Sequence, residues 1–179
     1  MGVTINMKTC KLDIMDCYMY RDDIFDCYQT NRLVFDSQNP IKITTPDIAA
    51  EFIRKFVEAE DSCVMGLFDD SKKFLYGLVI FDNIRYANNK SCAQVHIVNS
   101  KTIFGKVVRE IYDNIITACG IDTIYAEIPA IAVFPINICK RLGFIKTGYI
   151  PEALPYINSK GQEKMYDIII LTYKRKVNI

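Results

Sequence analysis

The sequence carries almost no net charge. Lys and Arg number 22 against 21 Asp and Glu, which leaves a formal charge of +1. Binding to a nucleic-acid backbone depends on an excess of positive charge, usually on a basic face that also carries aromatic side chains. Neither feature is present, so the composition disfavours a nucleic-acid-binding function.

The sequence also lacks the spacing of a metal site. It has one histidine and no C-x-x-C pair, so a familiar Cys/His zinc set cannot be completed. The cysteines are odd in number, and most lie in apolar surroundings where cysteine behaves as a small hydrophobe. We therefore expect buried free thiols in a reducing cytoplasm and no metal. The seven positions are Cys10, Cys17, Cys27, Cys63, Cys92, Cys119 and Cys139.

No apolar run is long enough to span a bilayer, and the N-terminus lacks a signal-peptide pattern. Met1 and Gly2 begin like a myristoylation site, but Asn6 stands where Ser or Thr is required. No repeat or low-complexity linker divides the chain, half of which is apolar and 12% aromatic. The sequence predicts one globular domain over 1–179, without a membrane partner.

The first half of the chain predicts a helix followed by a hairpin. Thr45, Pro46 and Asp47 supply a hydroxyl cap, a proline at the first helical position and an acid near the positive dipole end. Two strands over 63–68 and 74–84 are joined by a polar turn. A strand over 8–15 and a helix-like stretch over 20–30 are expected before them. The apolar stripe of the capped helix consists of Ala49, Phe52, Ile53, Phe56 and Val57.

The second half alternates between strand and helix patterns. Strands are predicted over 92–99, 121–130, 144–149 and 165–174, and Pro151 and Pro155 are expected to break the loop after the third. A long helix from 104 ends at Gly120, a left-handed stop, and a short helix covers 135–142. The expected fold is α/β, with a mixed, mostly antiparallel sheet and helices on both faces. The predicted buried face of the long helix is Val107, Val108, Ile111, Ile115 and Ala118.

The order of these elements, closed by the motif Arg141, Leu142, Gly143 and Phe144, resembles the GNAT N-acetyltransferases. Within that superfamily the pattern is most similar to the short GNAT-like proteins encoded by bacteriophages. The resemblance covers about 73–172. The stretches that support it are 93–97, 101–109, 139–144 and 161–167. It implies a splayed pair of parallel strands, an acceptor-side part over about 1–62, and a sheet core with a CoA-binding part over about 63–174.

The resemblance implies that acetyl-CoA is the cofactor. The family pattern Q/R-x-x-G-x-G/A falls on Thr102, Gly105 and Val107, of which the glycine alone is retained. A helix N-terminus offers unpaired N–H groups and a positive dipole end to a phosphate. The alternative is a plain turn with a solvated basic face. The implied cofactor-binding residues are Ile97, Val98, Thr102, Ile103, Phe104, Gly105, Lys106, Val107, Asn137 and Lys140.

His96 is the candidate general base. Strand alternation places it on one face with Gln94 and Val98, and histidine titrates near neutrality, so it could take a proton from the attacking amine. The alternative is a histidine packed on the sheet. The resemblance implies that Cys139 occupies the position of an acid that protonates the departing thiolate. A small apolar filler fits Cys139 equally well. Tyr149 is a stand-in acid or a packing residue.

The sequence therefore predicts transfer of an acetyl group from acetyl-CoA directly to an amine acceptor, on a protein or a small molecule. The reaction would take place in the cytoplasm, or in the host cytoplasm if the chain is phage-encoded. The altered positions Thr102, Val107 and Cys139 leave open a catalytically inactive GNAT-fold phage protein with a structural or host-interaction role. The apolar run 131–134 fits either the edge of a homodimer or a buried loop.

Overall fold

A seven-stranded mixed sheet forms the centre of the protein, in the strand order β1-β2-β3-β4-β5-β7-β6. The computed structural model describes residues 7–30, 42–100, 112, 114–157 and 162–175. The strands are β1 (Met7–Lys11), β2 (Cys63–Asp69), β3 (Leu75–Ala87), β4 (Lys90–Asn99), β5 (Thr123–Pro129), β6 (Ile145–Ile157) and β7 (Glu163–Lys174). Neighbouring strands pair antiparallel except β4 and β5, which are parallel. This mixed sheet with one parallel pair confirms the expected fold class.

Within residues 7–30 and 42–62, three helices precede β2. They are α1 (Ile14–Met19), α2 (Arg21–Thr30) and α3 (Pro46–Glu58). Asp13 caps α1 in a reciprocal capping box with Asp16, which ends β1 earlier than the predicted strand over 8–15. The hydroxyl of Thr45 accepts a hydrogen bond from Ile48 N, and Pro46 opens α3, as the sequence predicts.

The described residues between β4 and β6 form two further helices. Residues 112 and 114–118 are helical and form α4, and Val133–Arg141 forms α5. Gly120 and Gly143 follow these helices with positive φ values of 74° and 92°, a conformation in which glycine is unstrained. Ile115 is buried as predicted, but Ala118 is exposed.

The prediction that Pro151 and Pro155 interrupt the chain after 149 is wrong. Both prolines lie inside β6, which runs from Ile145 to Ile157. β6 is at the edge of the sheet and pairs with β7 alone. Proline is tolerated in an edge strand because its missing N–H need not break a hydrogen bond between strands. A register shift between Ile150 and Leu154 accommodates the first proline.

The sheet separates two hydrophobic cores. The first contains Val95, Ile124 and Cys139 and lies on the side of α4 and α5. The second contains Val98, Ile80 and Phe52 and lies on the side of α1, α2 and α3. Alternate residues of β4 therefore belong to opposite cores, which fixes the face on which each of its side chains lies.

In the part of the chain that the structure describes, no helix combines the length and the apolar character needed to cross a membrane. The run 131–134, for which the sequence leaves two interpretations, has a buried Ala132 and exposed Val133 and Phe134 at the start of α5. The homodimer that this run suggested stays a prediction.

Candidate functional site

The sheet opens between its two parallel strands. The pairing of β4 with β5 covers Cys92 to Gln94 and Thr123 to Tyr125. Within the described chain this register goes no further, although β4 continues to Asn99 and β5 continues to Pro129. The second half of each strand therefore presents one backbone edge to a gap in the interior of the sheet.

The hydrogen bonds at both ends of β4 identify which of its main-chain groups face this opening. Ser100 N–H donates to Tyr76 O on the β3 side at 2.9 Å, and Ser91 N–H donates to the Asp122 carboxylate on the β5 side at 2.8 Å. Since main-chain groups alternate between the two neighbouring strands, odd-numbered residues face β5. The groups at the opening are those of Val95, Ile97 and Asn99.

The same reasoning applies to β5. Ala130 N–H donates to Asp167 O of β7 at 2.8 Å, so even-numbered residues of β5 face β7. The main-chain groups of Glu127 and Pro129 then face β4, and proline has no N–H. Ile97 and Val98 are both predicted cofactor contacts. The alternation along β4 places the N–H of Ile97 at the opening. The N–H of Val98 is directed to β3, where Val98 pairs with Leu78.

The opposite end of the parallel pair is held closed. The carboxylate of Asp122 accepts hydrogen bonds from the N–H and the hydroxyl of Ser91, at 2.8 and 3.1 Å. The Asp122 N–H donates back to the same hydroxyl at 3.1 Å. These hydrogen bonds lower the pKa of Asp122 below its ordinary value of 3.8. The two strands are therefore joined before they separate.

His96 lies on β4 beside the opening. Its side chain is on the face of Val98 and the second core, as strand alternation predicts, and its ring is 6.3 Å from the ring of Phe56 on α3. Burial lowers the pKa of His96 below 6.5, and the negative charge of Asp82 on β3 partly opposes this shift. A neutral imidazole at pH 7 is able to accept a proton.

Glu127 and Tyr125 form the β5 side of the same face. Ile124, Ala126 and Ile128 belong to the first core, so the intervening side chains lie on the opposite face, with that of His96. Tyr125 is the partner of Gln94 in the last paired rung. Burial, and then the neighbouring Glu127, raise the pKa of Tyr125 above 10. No spacing in the sequence marks Glu127 as a site residue. Glu127 could have been found from the parallel register between β4 and β5, but no local sequence pattern encodes that register.

Cys139 is buried in the first core on α5, with 5% of its surface exposed. Its burial raises the pKa of the thiol to about 12. The two other predicted residues of α5, Asn137 and Lys140, are exposed. This environment favours the interpretation of Cys139 as a small packing residue.

Tyr149 lies on β6, which β7 separates from β5. It pairs with Ile169, whose side chain packs against the first core, on the face opposite His96. Its ring is 58% exposed and carries the Lys146 ammonium 5.3 Å from its centroid. The structure thus does not bring Tyr149 and His96 together.

The predicted phosphate-binding turn falls on a part of the chain outside the described residues, so Thr102, Ile103, Phe104, Gly105, Lys106 and Val107 keep the status of predictions. Residues of suitable type for a metal do not cluster in threes anywhere in the described ranges. Asp167 of β7 accepts a hydrogen bond at 3.0 Å from Glu152 N–H in the bulge of β6.

No protein-family model matches the sequence, and no curated protein matches it. Solved structures do match its fold. The spermidine N-acetyltransferase from Vibrio cholerae, in complex with CoA and spermine, superposes with a TM-score of 0.69 at 17% identity, over 94% of this chain and 95% of that chain.

The ribosomal-protein-S5-alanine acetyltransferase from Vibrio fischeri gives a TM-score of 0.70 at 18% identity, covering 97% of this chain and 95% of that one. A GNAT-family acetyltransferase from Bacillus anthracis gives 0.65 at 13% identity, with 97% and 98% covered. At these identities the similarity concerns the fold. The chain has the fold of the GNAT acetyltransferases.

Proposed function

We propose that the protein is an N-acetyltransferase that moves an acetyl group from acetyl-CoA directly to an amine. The observation that carries this proposal is the opening between β4 and β5, with His96 on its border. Where two neighbouring strands of a sheet separate, a ligand with amide groups can hydrogen-bond to their main chains as a strand would, and buried N–H and C=O groups are stabilised by such bonds.

The residues at the opening fit the pantetheine arm of CoA. That arm carries two amide groups, and the edge of β4 at Val95 and Ile97 presents main-chain groups to the opening at strand spacing. The Vibrio cholerae neighbour was solved with CoA, which supports the same cofactor here. Asn137 and Lys140, exposed on α5, are further candidate contacts to the arm or its phosphates, and the turn over 102–107 is our candidate site for the pyrophosphate.

When bound, acetyl-CoA supplies an acetyl group activated as a thioester. In our proposal the N–H of Ile97 donates a hydrogen bond to the acetyl carbonyl oxygen and stabilises the negative charge that develops there. His96, held neutral by burial, accepts a proton from the amine. We assign Cys139 to packing, because a thiol with a pKa of about 12 is a poor donor near neutrality. Tyr149 remains a candidate acid only if the hairpin of β6 and β7 moves.

The seven cysteines are all free thiols, which is the usual state in a reducing compartment. We therefore place the reaction in the cytoplasm. A second function, a GNAT-fold module without catalysis, is favoured by the burial of Cys139, since this chain then lacks the expected acid at that position. The resemblance to the short GNAT-like proteins of bacteriophages is part of this second proposal.

Calorimetric titration with acetyl-CoA tests the proposal. We expect saturable binding that Gly105→Glu weakens by at least about tenfold, since a carboxylate would repel the pyrophosphate. Tyr86→Glu adds the same charge on β3, at an 80% exposed side chain whose strand partner is Ser91 at the closed end of the parallel pair, and this variant should bind normally. His96→Ala should bind acetyl-CoA but lose about 10²-fold or more in turnover of an amine. An absence of binding at near-millimolar acetyl-CoA would leave the non-catalytic module.

A further inference from the structure

The short helix α1 has an apolar face on its outer side. Four of its six side chains are large, apolar and exposed, and Met15 and Met19 are the most exposed, at 69% and 68%. Ile14 and Tyr18 are the other two. Cys17, on the inner side of the helix, is buried in the second core. The helix is therefore held on the protein by its inner side, and its outer side is an apolar patch of the kind that marks interaction sites.

A cavity of about 140 Å³ on α3 continues this patch. It is lined by Asp47, Ile48, Glu51, Phe52 and Lys55. Two contacts place it beside α1 and α2: the Tyr18 hydroxyl donates to the Glu51 carboxylate, and Arg21 pairs with Asp47 at 3.0 Å. The cavity thus combines two apolar side chains with a charged rim, next to the exposed methionines of α1.

This part of the molecule is acidic, although the whole chain is nearly neutral. Residues 7–30 and 42–62 contain ten Asp and Glu against six Lys and Arg, whereas the rest of the sequence contains eleven against sixteen. Two of the six cations, Arg21 and Arg54, are already engaged in ion pairs with carboxylates of α3. The apolar patch is therefore surrounded by negative charge that its own cations do not balance.

We propose that α1 and the adjoining cavity on α3 form a docking surface for a basic, apolar polypeptide segment of another protein. One apolar side chain of the partner would enter the cavity over Ile48 and Phe52, and others would cover Met15 and Met19. Its Lys and Arg side chains would face the surrounding carboxylates. Methionine suits such a surface, because its flexible side chain adapts to the partner. This inference goes beyond acetyl transfer and does not depend on it.

The negative charge favours this partner over two others. A symmetric dimer formed through α1 would bring the same carboxylates of two copies together, and like charges facing each other disfavour an interface. An anionic membrane would be repelled for the same reason. A basic segment gains both the burial of apolar surface and the attraction between opposite charges.

The test measures the fluorescence anisotropy of labelled peptides mixed with the full-length protein. The main peptide consists of about fifteen Leu and Lys residues, with Leu at helical spacing. One control peptide has Glu in place of Lys, and the other has Ser in place of Leu. We expect saturable binding of the Leu and Lys peptide and at least about tenfold weaker binding of both controls, since each lacks one of the two contributions. Added salt should weaken the binding.

Variants locate the binding on the protein. Met15→Ser combined with Met19→Ser should weaken the Leu and Lys peptide at least about tenfold, because the apolar contact is removed. Ile145→Ser combined with Met165→Ser is the matched control: it removes two exposed apolar side chains at the other end of the sheet and should bind as the native protein does. Asp47→Lys should weaken the peptide with Lys and strengthen the peptide with Glu, an inversion that a folding defect does not produce.

Several results would overturn the proposal. They are no binding of the Leu and Lys peptide at near-millimolar protein, equal affinity for the three peptides, and unchanged affinity in the variant of Met15 and Met19. A dimer in sedimentation equilibrium that this variant abolishes would assign the surface to a second copy instead. Binding to vesicles of anionic phospholipid that the variant abolishes would assign it to a membrane. None of these measurements uses acetyl-CoA, so their failure is distinct from a failure of the proposed function.

Discussion

Burial of His96 lowers its pKa, and this changes its usefulness as a base. Burial of His96 favours its uncharged form, because a cation loses more solvation than a neutral ring when it enters the protein. Asp82 acts in the other direction by stabilising the imidazolium. Since burial is the larger effect, His96 is neutral over the whole range above pH 6.5. In the proposed reaction His96 therefore needs no separate deprotonation step.

This balance predicts the pH dependence of turnover. At saturating substrates, the acid limb of the kcat profile should lie below pH 6.5, because in the proposed reaction protonated His96 cannot accept the proton of the amine. Asp82→Asn should move the limb to still lower pH, since the variant loses the charge that raises the pKa. The measurements are kcat from pH 4.5 to 8 and the NMR titration of the single imidazole. An acid limb above pH 6.5, or a shift upward in the Asp82 variant, would contradict it.

Cys139 shows why a residue's position in a motif does not establish its role. The resemblance placed it where an acid would act, and its reference pKa of about 8.5 made that plausible. In the structure it is surrounded by the first core, next to Leu142 and Phe144 of the motif that suggested it. Burial raises the pKa of this thiol to about 12, so the thiolate does not form near neutral pH. No cation in the described chain compensates for the lost solvation.

At the scale of elements, the parallel pair combines a fixed end with an open end. Ser91 and Asp122 join β4 to β5 at the first residues of the pair, and the strands part after Gln94 and Tyr125. If β4 and β5 separated closer to Ser91 and Asp122, the pairing of Gln94 with Tyr125 beside His96 would be lost. The hydrogen bonds of Asp122 therefore position the site although they lie outside it.

The Asp122 hydrogen bonds predict a specific loss of stability in acid. The folded pKa of Asp122 lies below 3.8, so its contribution is present above pH 3.8 and disappears as the pH falls through the folded pKa. Asp122→Ala should lower the melting temperature at pH 7, and the difference from the native protein should close below pH 3.8. Asp70→Ala, in the exposed turn after β2, should show no such gap at any pH. A gap for Asp122 that persists at pH 2 would argue against the carboxylate as its origin.

Local chemistry was enough to predict most elements. The Thr45 and Pro46 start of α3, the hairpin of β2 and β3, and the left-handed Gly120 all depend on neighbouring residues, and the structure contains them. Sequence reasoning failed at β6, where edge position decides whether a proline is tolerated. Edge position is a property of the complete sheet and has no signature in the strand itself.

For the whole molecule, the parts of the candidate site that depend on local sequence could be predicted, and those that depend on the assembled sheet were missed. His96 and its face could be predicted, since alternation within one strand is local. The opening, the direction of the Ile97 amide and the position of Glu127 depend on the register between β4 and β5, which are joined through a helix. Such pairing between distant segments is set by the packing of two cores and not by either segment alone.

The arrangement of cysteines across the two cores gives a prediction for the folded molecule as a whole. Cys17 and Cys27 are buried in the second core and Cys139 in the first, with thiol pKa values raised by burial to about 11, about 12 and about 12. The thiolate is the reactive form, so these three should not react with dithiobis(nitrobenzoate) in the native protein. The partly exposed thiols are Cys10, Cys63, Cys92 and Cys119.

We therefore expect no more than four thiols to react in buffer and all seven in denaturant. Cys27→Ala is the matched variant: it should lower the denatured count by one and leave the native count unchanged, because its sulfur is inaccessible in the folded state. A native count above four would mean that α1, α2 or α5 opens on the time scale of the reaction, and the helix that opens would be identified by which alanine variant lowers the count. Since α3 brings Phe56 to His96 on the same face that α1 and α2 cover, opening there would also expose the acceptor side of the site. The thiol count thus tests the packing around His96.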